Sequence, residues 1–329
     1  MGSGAWGIAV AIVANQKGHS VKVWSSFPEE IDEINATREN KRCLEGVKIP
    51  KSIEFTKDIN IAANADIVII AVPSIAVRTV AASIKNIVDK KSIIVNLAKG
   101  LEKDSLNRLS QVINEEIPEN DVVVLSGPTH AEEVARGVPS LLVVSSLNPN
   151  SAVYVQEQLM CEKFRIYKND DIVGVELGGA LKNIIAIAAG IVDELKLGDN
   201  TVAALMTRGL TEIARLGVAM GANKETFAGL TGVGDLIVTC TSKHSRNRRA
   251  GILIGKGVPM DEVLKQVGTV EGYFATASAK RFSQIHNVYM PITEQCYAVM
   301  YEGKNVRDTI SKLLGGPCRD ENEEIWLLQ

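Results

Sequence analysis

An α/β chain is predicted, with a doubly wound sheet in its first half and an all-α second half. Continuous apolar runs bounded by polar residues alternate with helical stripes up to about residue 170. From about Asp171 onward no segment reads as a strand. The length, 329 residues, allows two domains at roughly 150 residues each. The expected split is 1–175 and 176–329.

The elements follow in order. A glycine-rich start, Gly2 to Gly7, opens onto a short apolar helix over Ile8 to Gln16. Val21–Ser25 is a short β-rich run. Asp66–Val72, Ser92–Leu97, Asp121–Ser126 and Ser140–Ser145 suit strands buried on both faces, as in a parallel sheet. Val77, Val80, Ala81, Ile84, Ile87 and Val88 form one helical stripe. Leu106, Leu109, Val112 and Ile113 form another, after an expected N-cap at Asp104. Thr129 and Glu132 have the spacing of a capping box. Val175 to Leu195 reads as one long helix, apolar nearly all round and therefore buried. Further helices are expected over 199–221, 260–267, 271–284, 291–301 and 305–313, then a solvated acidic segment, Arg319 to Glu324.

Composition removes several function classes. Lys+Arg number 36 against 39 Asp+Glu, a net charge of -3, which argues against a nucleic-acid partner. A hydrophobic content of 46% argues against disorder. The five cysteines are scattered without a CxxC, which suits a reducing compartment. The four histidines show no metal-ligand spacing, so no metal is expected. No apolar run reaches the ~18 residues of a membrane span. The expectation is a soluble, cytoplasmic protein.

Gly2-Ser-Gly4-Ala-Trp-Gly7 matches G-x-G-x-x-G. Gly2 allows a tight turn, Gly4 lets a pyrophosphate approach the backbone, and Gly7 lets the helix pack close to the sheet. The helix N-terminus beyond attracts anions. The motif normally follows a central strand, and here Met1 stands directly on the turn. We therefore expect a Rossmann-type sheet whose first strand is missing from the sequence, with the true start about six to eight residues upstream. The acid expected after the second strand is absent: Trp24-Ser-Ser-Phe-Pro28 stands there, and Glu29 is the first carboxylate. Ser25 and Ser26 can bond either a ribose hydroxyl or a 2′-phosphate, which leaves NAD and NADP both open.

Other polar residues sit where packing alone would not put them. Lys99 follows Ser92–Leu97 at its carboxyl end, where ligands of open α/β sheets bind; position alone fits a surface turn equally well. Lys182 interrupts the apolar helix beside Gly178 and Gly179, two glycines that make sense if something approaches closely. It reads either as a snorkelling stem or as an acid/base lysine with a lowered pKa. Asp235 ends a glycine-rich turn, and Lys243 to Arg249 is the densest basic run. Such a run is usually a solvated face; with Ser and Asn interleaved it can cradle a phosphate.

Eight motifs in order complete the picture: GSGAWG, AVPS (71–74), NLAKGLE (96–102), SGPTHAEE (126–133), GGALKN (178–183), LTGVGDL (230–236), SRN (245–247) and TVEG (269–272). Together they resemble the bacterial NAD(P)-dependent sn-glycerol-3-phosphate dehydrogenases over nearly the whole chain. The resemblance implies a Rossmann domain followed by an all-helical substrate domain. It also implies hydride transfer between NAD(P)H and dihydroxyacetone phosphate, with the product feeding phospholipid synthesis. By resemblance, Lys182 is the proton donor and acceptor, with Lys99 and Asp235 beside it in catalysis. Gly127, Thr129, Ser245, Arg246 and Asn247 would join Lys99, Lys182 and Asp235 in holding the substrate. Gly2, Gly4, Ala5, Trp6, Gly7, Ser26, Phe27, Lys99, Ala131, Arg246, Thr269 and Glu271 would line the cofactor. A homodimer is a further implication. This chain departs from the family at Ser26, Phe27 and Thr269, which bears on cofactor preference. Two other readings are a hydroxyacid or 6-phosphogluconate-type dehydrogenase and a catalytically silent dinucleotide sensor.

Overall fold

The computed structural model describes residues 1–315, and the acidic segment from Arg319 lies outside them. The described chain falls into two units. One comprises Met1–Lys99 and Asn107–Ile172; the other comprises Gly100–Leu106 and the chain from Val173.

The first unit holds seven strands: β1 (Lys22–Trp24), β2 (Glu54–Thr56), β3 (Ile67–Ile70), β4 (Ile93–Asn96), β5 (Val122–Ser126), β6 (Ser140–Ser146) and β7 (Phe164–Lys168). Six helices accompany them: α1 (Ala5–Gln16), α2 (Pro28–Thr37), α3 (Val77–Ile84), α4 (Leu109–Glu116), α5 (Ala131–Ala135) and α6 (Pro149–Leu159). β3, β4 and β5 pair in parallel. Their side chains alternate between two cores, which makes the sheet doubly wound. Val95, Val123 and Leu125 pack with α1 and α6 on one face. Val68, Ile70 and Ile94 pack with α3 and α4 on the other.

β1 and β2 form a separate parallel pair. Met1 and Gly2 lie between this pair and β3. The Met1 amine donates to Ile69 O at 2.7 Å and its carbonyl accepts from Ala71 N at 2.8 Å. Gly2 N donates to Trp24 O at 2.7 Å. Residues 1 and 2 thus occupy the central position expected of a strand before the glycine turn. Below them a cavity of about 620 Å³ separates the two ladders, lined by residues such as Val10, Val21, Ile67 and Ile69.

Several local expectations are corrected. β6 is antiparallel to β5, so the sheet is mixed. α4 starts at Leu109, where Gln111 Oε1 accepts from Arg108 N at 3.0 Å; Asp104 is not its cap, because Leu106 turns left-handed (φ 64°) between them. α5 is capped at His130 without a side-chain bond, so Thr129 and Glu132 form no capping box.

The second unit is helical: α7 (Ile172–Glu194), α8 (Asp199–Ala219), α9 (Lys224–Phe227), α10 (Asp235–Thr241), α11 (Arg246–Gly255), α12 (Met260–Val267), α13 (Glu271–Ile285), α14 (Pro291–Glu302) and α15 (Val306–Leu314). α7 is long and apolar enough to cross a bilayer, yet 94% of its apolar window is buried, and Leu181, Ile184, Ile185 and Ile187 anchor this unit's core. No strand follows β7 among the described residues.

Candidate active site

Lys182 sits in the middle of α7, 5% exposed. Its ammonium donates to the Asp235 carboxylate and, at 2.6 Å, to Thr239 Oγ1. Thr239 donates in turn to the Asp235 carbonyl at 2.6 Å. A buried ammonium without a counter-charge would cost several kcal/mol. Here carboxylate and hydroxyl hold it in a fixed direction. Of the two readings of Lys182, the geometry removes the snorkelling stem: the side chain ends in a buried ion pair and does not reach water.

Close packing builds that pair. A Cβ at Gly178, one turn before Lys182, would stand 2.6 Å from Thr231 O. The turn Leu230–Gly234, a single π-type turn, lies against α7 because position 178 has no side chain. That turn delivers Asp235, the first residue of α10, to Lys182. What approaches the glycine closely is the chain itself.

Beside Lys182, Asn183 Oδ1 accepts from Asn247 Nδ2 at 2.9 Å, and Asn247 Oδ1 accepts from Gly272 N at 2.9 Å. This relay ties α7, α11 and the start of α13 together. It sets Asn247 beside Lys182's neighbour, and Thr269 and Glu271 near the far end. Ser245 is buried and caps α11, its Oγ accepting from Arg248 N at 3.2 Å. Arg246 begins that helix and is exposed. The basic run is thus a helix N-terminus. Arg248 is drawn away to Asp193 at 2.6 Å.

The first unit carries the other predicted residues. Lys99 lies just past β4, its Nζ donating to Gly127 O at 2.7 Å and Thr129 Oγ1 at 3.2 Å. Gly127 has φ 134°, and a Cβ there would meet Leu142 Cα at 3.0 Å. Backbone conformation and the neighbouring strand both demand this glycine, independently of any ligand. The side chain of Ala131 belongs to the core. Ser26 and Phe27 are exposed beyond the carboxyl end of β1.

The fingerprint glycines divide their tasks nearly as expected. Gly2 turns with φ 112°, and a Cβ there would lie 2.6 Å from Ala71 O. A Cβ at Gly7 would collide with the Gly2 carbonyl. Gly4, the N-cap of α1, faces open space, and α1 has neither a side-chain cap bond nor an acidic residue in its first turn. Trp6 Nε1 is a buried donor with no partner. An open glycine at a positive helix end fits a dinucleotide pyrophosphate.

Thr239 is absent from the sequence motifs, and Asn183 enters them only as the last residue of GGALKN, without a role. Thr239 had a signal: it lies four residues after Asp235, one helical turn along the same face. Among the described residues no three His, Cys, Asp or Glu cluster as a metal site.

Fold and site together define a class, the dinucleotide-dependent oxidoreductases with an α/β first unit and a helical second one. The sequence profiles of the NAD-dependent glycerol-3-phosphate dehydrogenase N-terminus and C-terminus match residues 1–152 and 171–311. The chain is 54% identical over 327 residues to a glycerol-3-phosphate dehydrogenase [NAD(P)+] of Thermoanaerobacter sp. (strain X514), covering 99% of this chain and 98% of that one. It is 49% identical over 329 residues to the enzyme of that name from Fusobacterium nucleatum, covering 99% and 97%. The crystal structure of glycerol-3-phosphate dehydrogenase from Coxiella burnetii superposes with a TM-score of 0.92 at 39% identity, covering 96% of this chain and 97% of that one. The chain belongs to the NAD-dependent glycerol-3-phosphate dehydrogenase family.

Proposed function

We propose that the protein catalyses reversible hydride transfer between NAD(P)H and dihydroxyacetone phosphate, giving sn-glycerol 3-phosphate for phospholipid synthesis. Family membership supports the reaction, and the buried Lys182–Asp235 pair carries its chemistry. The bound dinucleotide supplies or accepts the hydride. Residues 1–175 are read as the dinucleotide domain and 176–329 as the substrate domain.

Gly2, Gly4, Gly7 and the first turn of α1, with Ala5 and Trp6, hold the pyrophosphate. Ser26 and Phe27 border the adenosine end, and Ala131, Thr269 and Glu271 line the rest of the cofactor. Hydride arriving at a ketone carbon leaves negative charge on its oxygen, which needs a cation and then a proton. Lys182 gives that proton to the C2 oxygen, and in the reverse direction takes it back. Asp235 and Thr239 keep its ammonium aimed. Lys99, held by Gly127 O and Thr129 Oγ1, adds a second cationic contact for substrate and cofactor, with Gly127 and Thr129 beside the substrate. Ser245, Arg246 and Asn247 hold the phosphate, with Arg246 offering a guanidinium fork.

Replacing Lys182 with Met is expected to lower kcat on the order of 10²- to 10⁴-fold, with NADH affinity unchanged by fluorescence titration. Full turnover in that variant would overturn the assignment. Oxidation of 3-hydroxy acids without reduction of the triose phosphate would instead favour the hydroxyacid reading. A chain that binds NADH and turns over neither substrate would favour the silent sensor. The assembly is read as a homodimer in the cytoplasm, testable by light scattering and cell fractionation.

A further inference from the structure

The glycine loop has a side-chain anchor that its motif does not specify. Between Gly2 and Gly4, Ser3 is the only residue with a side chain, and it is 3% exposed. Its hydroxyl donates to Glu30 Oε2, on α2, at 2.9 Å. Its carbonyl accepts from Asn40 Nδ2 at 3.1 Å, and the same amide donates to Glu30 Oε1 at 2.6 Å. Asn40 Oδ1 accepts from Cys43 N at 3.3 Å, which fixes the segment after α2 against the loop.

This arrangement puts a carboxylate behind a loop read as a pyrophosphate site. Alone, that charge would oppose an anionic ligand. Arg42 stands against it, Nη2 to Glu30 Oε1 at 2.9 Å, with the guanidinium side chain 71% exposed and the carboxylate 11% exposed. The carboxylate can therefore hold Ser3 while its charge is balanced from the solvent side. Glu30, the second acid after β1, is turned inward, and its bonds are spent on Ser3, Asn40 and Arg42.

We propose that Glu30 and Arg42 form a charge-balanced clamp, acting through Ser3 and Asn40, that positions the Gly2–Gly7 loop for the dinucleotide. The proposal rests on the reading that this loop holds the pyrophosphate. These are positioning residues, since none of them is assigned a contact with substrate.

The test is NADH binding by fluorescence titration, with steady-state kinetics and a thermal melt for each variant. Arg42→Met exposes the Glu30 charge and raises the NADH Kd and KM roughly three- to tenfold, with kcat within about twofold. Adding Glu30→Gln to Arg42→Met removes that charge and restores most of the affinity. Ser3→Ala, which removes only a hydroxyl, raises the Kd as well, and its effect is not additive with that of Glu30→Ala, which removes the acceptor that Gln keeps. An unchanged Kd in Arg42→Met, a double variant no better than Arg42→Met alone, or strict additivity of the Ser3 and Glu30 changes would each overturn the clamp. Gly4→Val tests the underlying reading separately. If it binds NADH normally, the loop does not hold the pyrophosphate. If it abolishes binding while Arg42→Met binds normally, only the clamp fails.

Discussion

Lys182, Asp235 and Thr239 show how much a single side chain depends on what surrounds it. The ammonium is tolerable in an apolar helix because its bonds are supplied by a carboxylate and a hydroxyl from α10. Asp235→Asn should keep the fold's volume but leave a buried charge poorly matched, so kcat and melting temperature should fall together; a variant with normal values of both would contradict the pairing. Glu212 is a second buried carboxylate, serving a structural end. It accepts from Ile292 N at 2.7 Å and Thr293 N at 3.2 Å, and so caps α14. Burial pushes it up to about 7, against those bonds and the nearby Arg215. A raised folded value means the folded chain holds the proton more tightly than the unfolded one. The stabilisation is fully present below the unfolded value of 4.5 and is lost as pH rises through about 7. Relative to a Glu212→Gln variant, the wild type should therefore lose melting temperature between pH 5 and 8. A constant difference across that range would contradict the assignment.

At the scale of elements, α7 organises the second unit through the residues it lacks. Gly178 admits the Leu230–Gly234 turn, and Gly190 admits the backbone of α11 at Arg248. Gly178→Ala should cost about 1–3 kcal/mol, as overpacking does, and should lower kcat by moving Asp235. A melting temperature and kcat equal to wild type would refute the close-approach account. Long elements were legible in the sequence because their patterns repeat: α7, α8, α13 and the apolar strands β3 to β6 all fall where periodicity put them. β2 was not legible, being three residues long with an exposed Glu54 and a half-buried Thr56. β7 alternates one buried with one or two exposed residues at a sheet edge, Phe164 and Ile166 inward, a pattern too short to separate from a loop. α2, α6, α10 and α11 were missed because turn residues, polar side chains or a basic run masked their stripes. The direction of β6 was unreadable, since an apolar run carries no sign of whether its neighbour runs with it or against it.

Over the whole molecule, the two ladders of the first unit differ in support. β3 to β7 form one continuous five-stranded sheet, whereas β1 and β2 share three residue pairs. Short ladders open more readily than long ones. Amide hydrogen exchange should be faster across Lys22–Trp24 and Glu54–Thr56 than across β3, β4 and β5; equal protection would contradict this. The sequence by itself determined the long helices and the apolar strands, the change to helix near residue 171, the glycine turn, and the residue types needed for hydride chemistry. These are local matters, set by periodicity, by the conformational freedom of glycine and by the chemistry of single side chains. Only the tertiary structure decided that Lys182 ends on Asp235 and Thr239, that Gly127 answers to β6, and that Ser3 is held by Glu30. Each joins residues distant along the chain, and their meeting depends on how backbones pack, which no local pattern encodes.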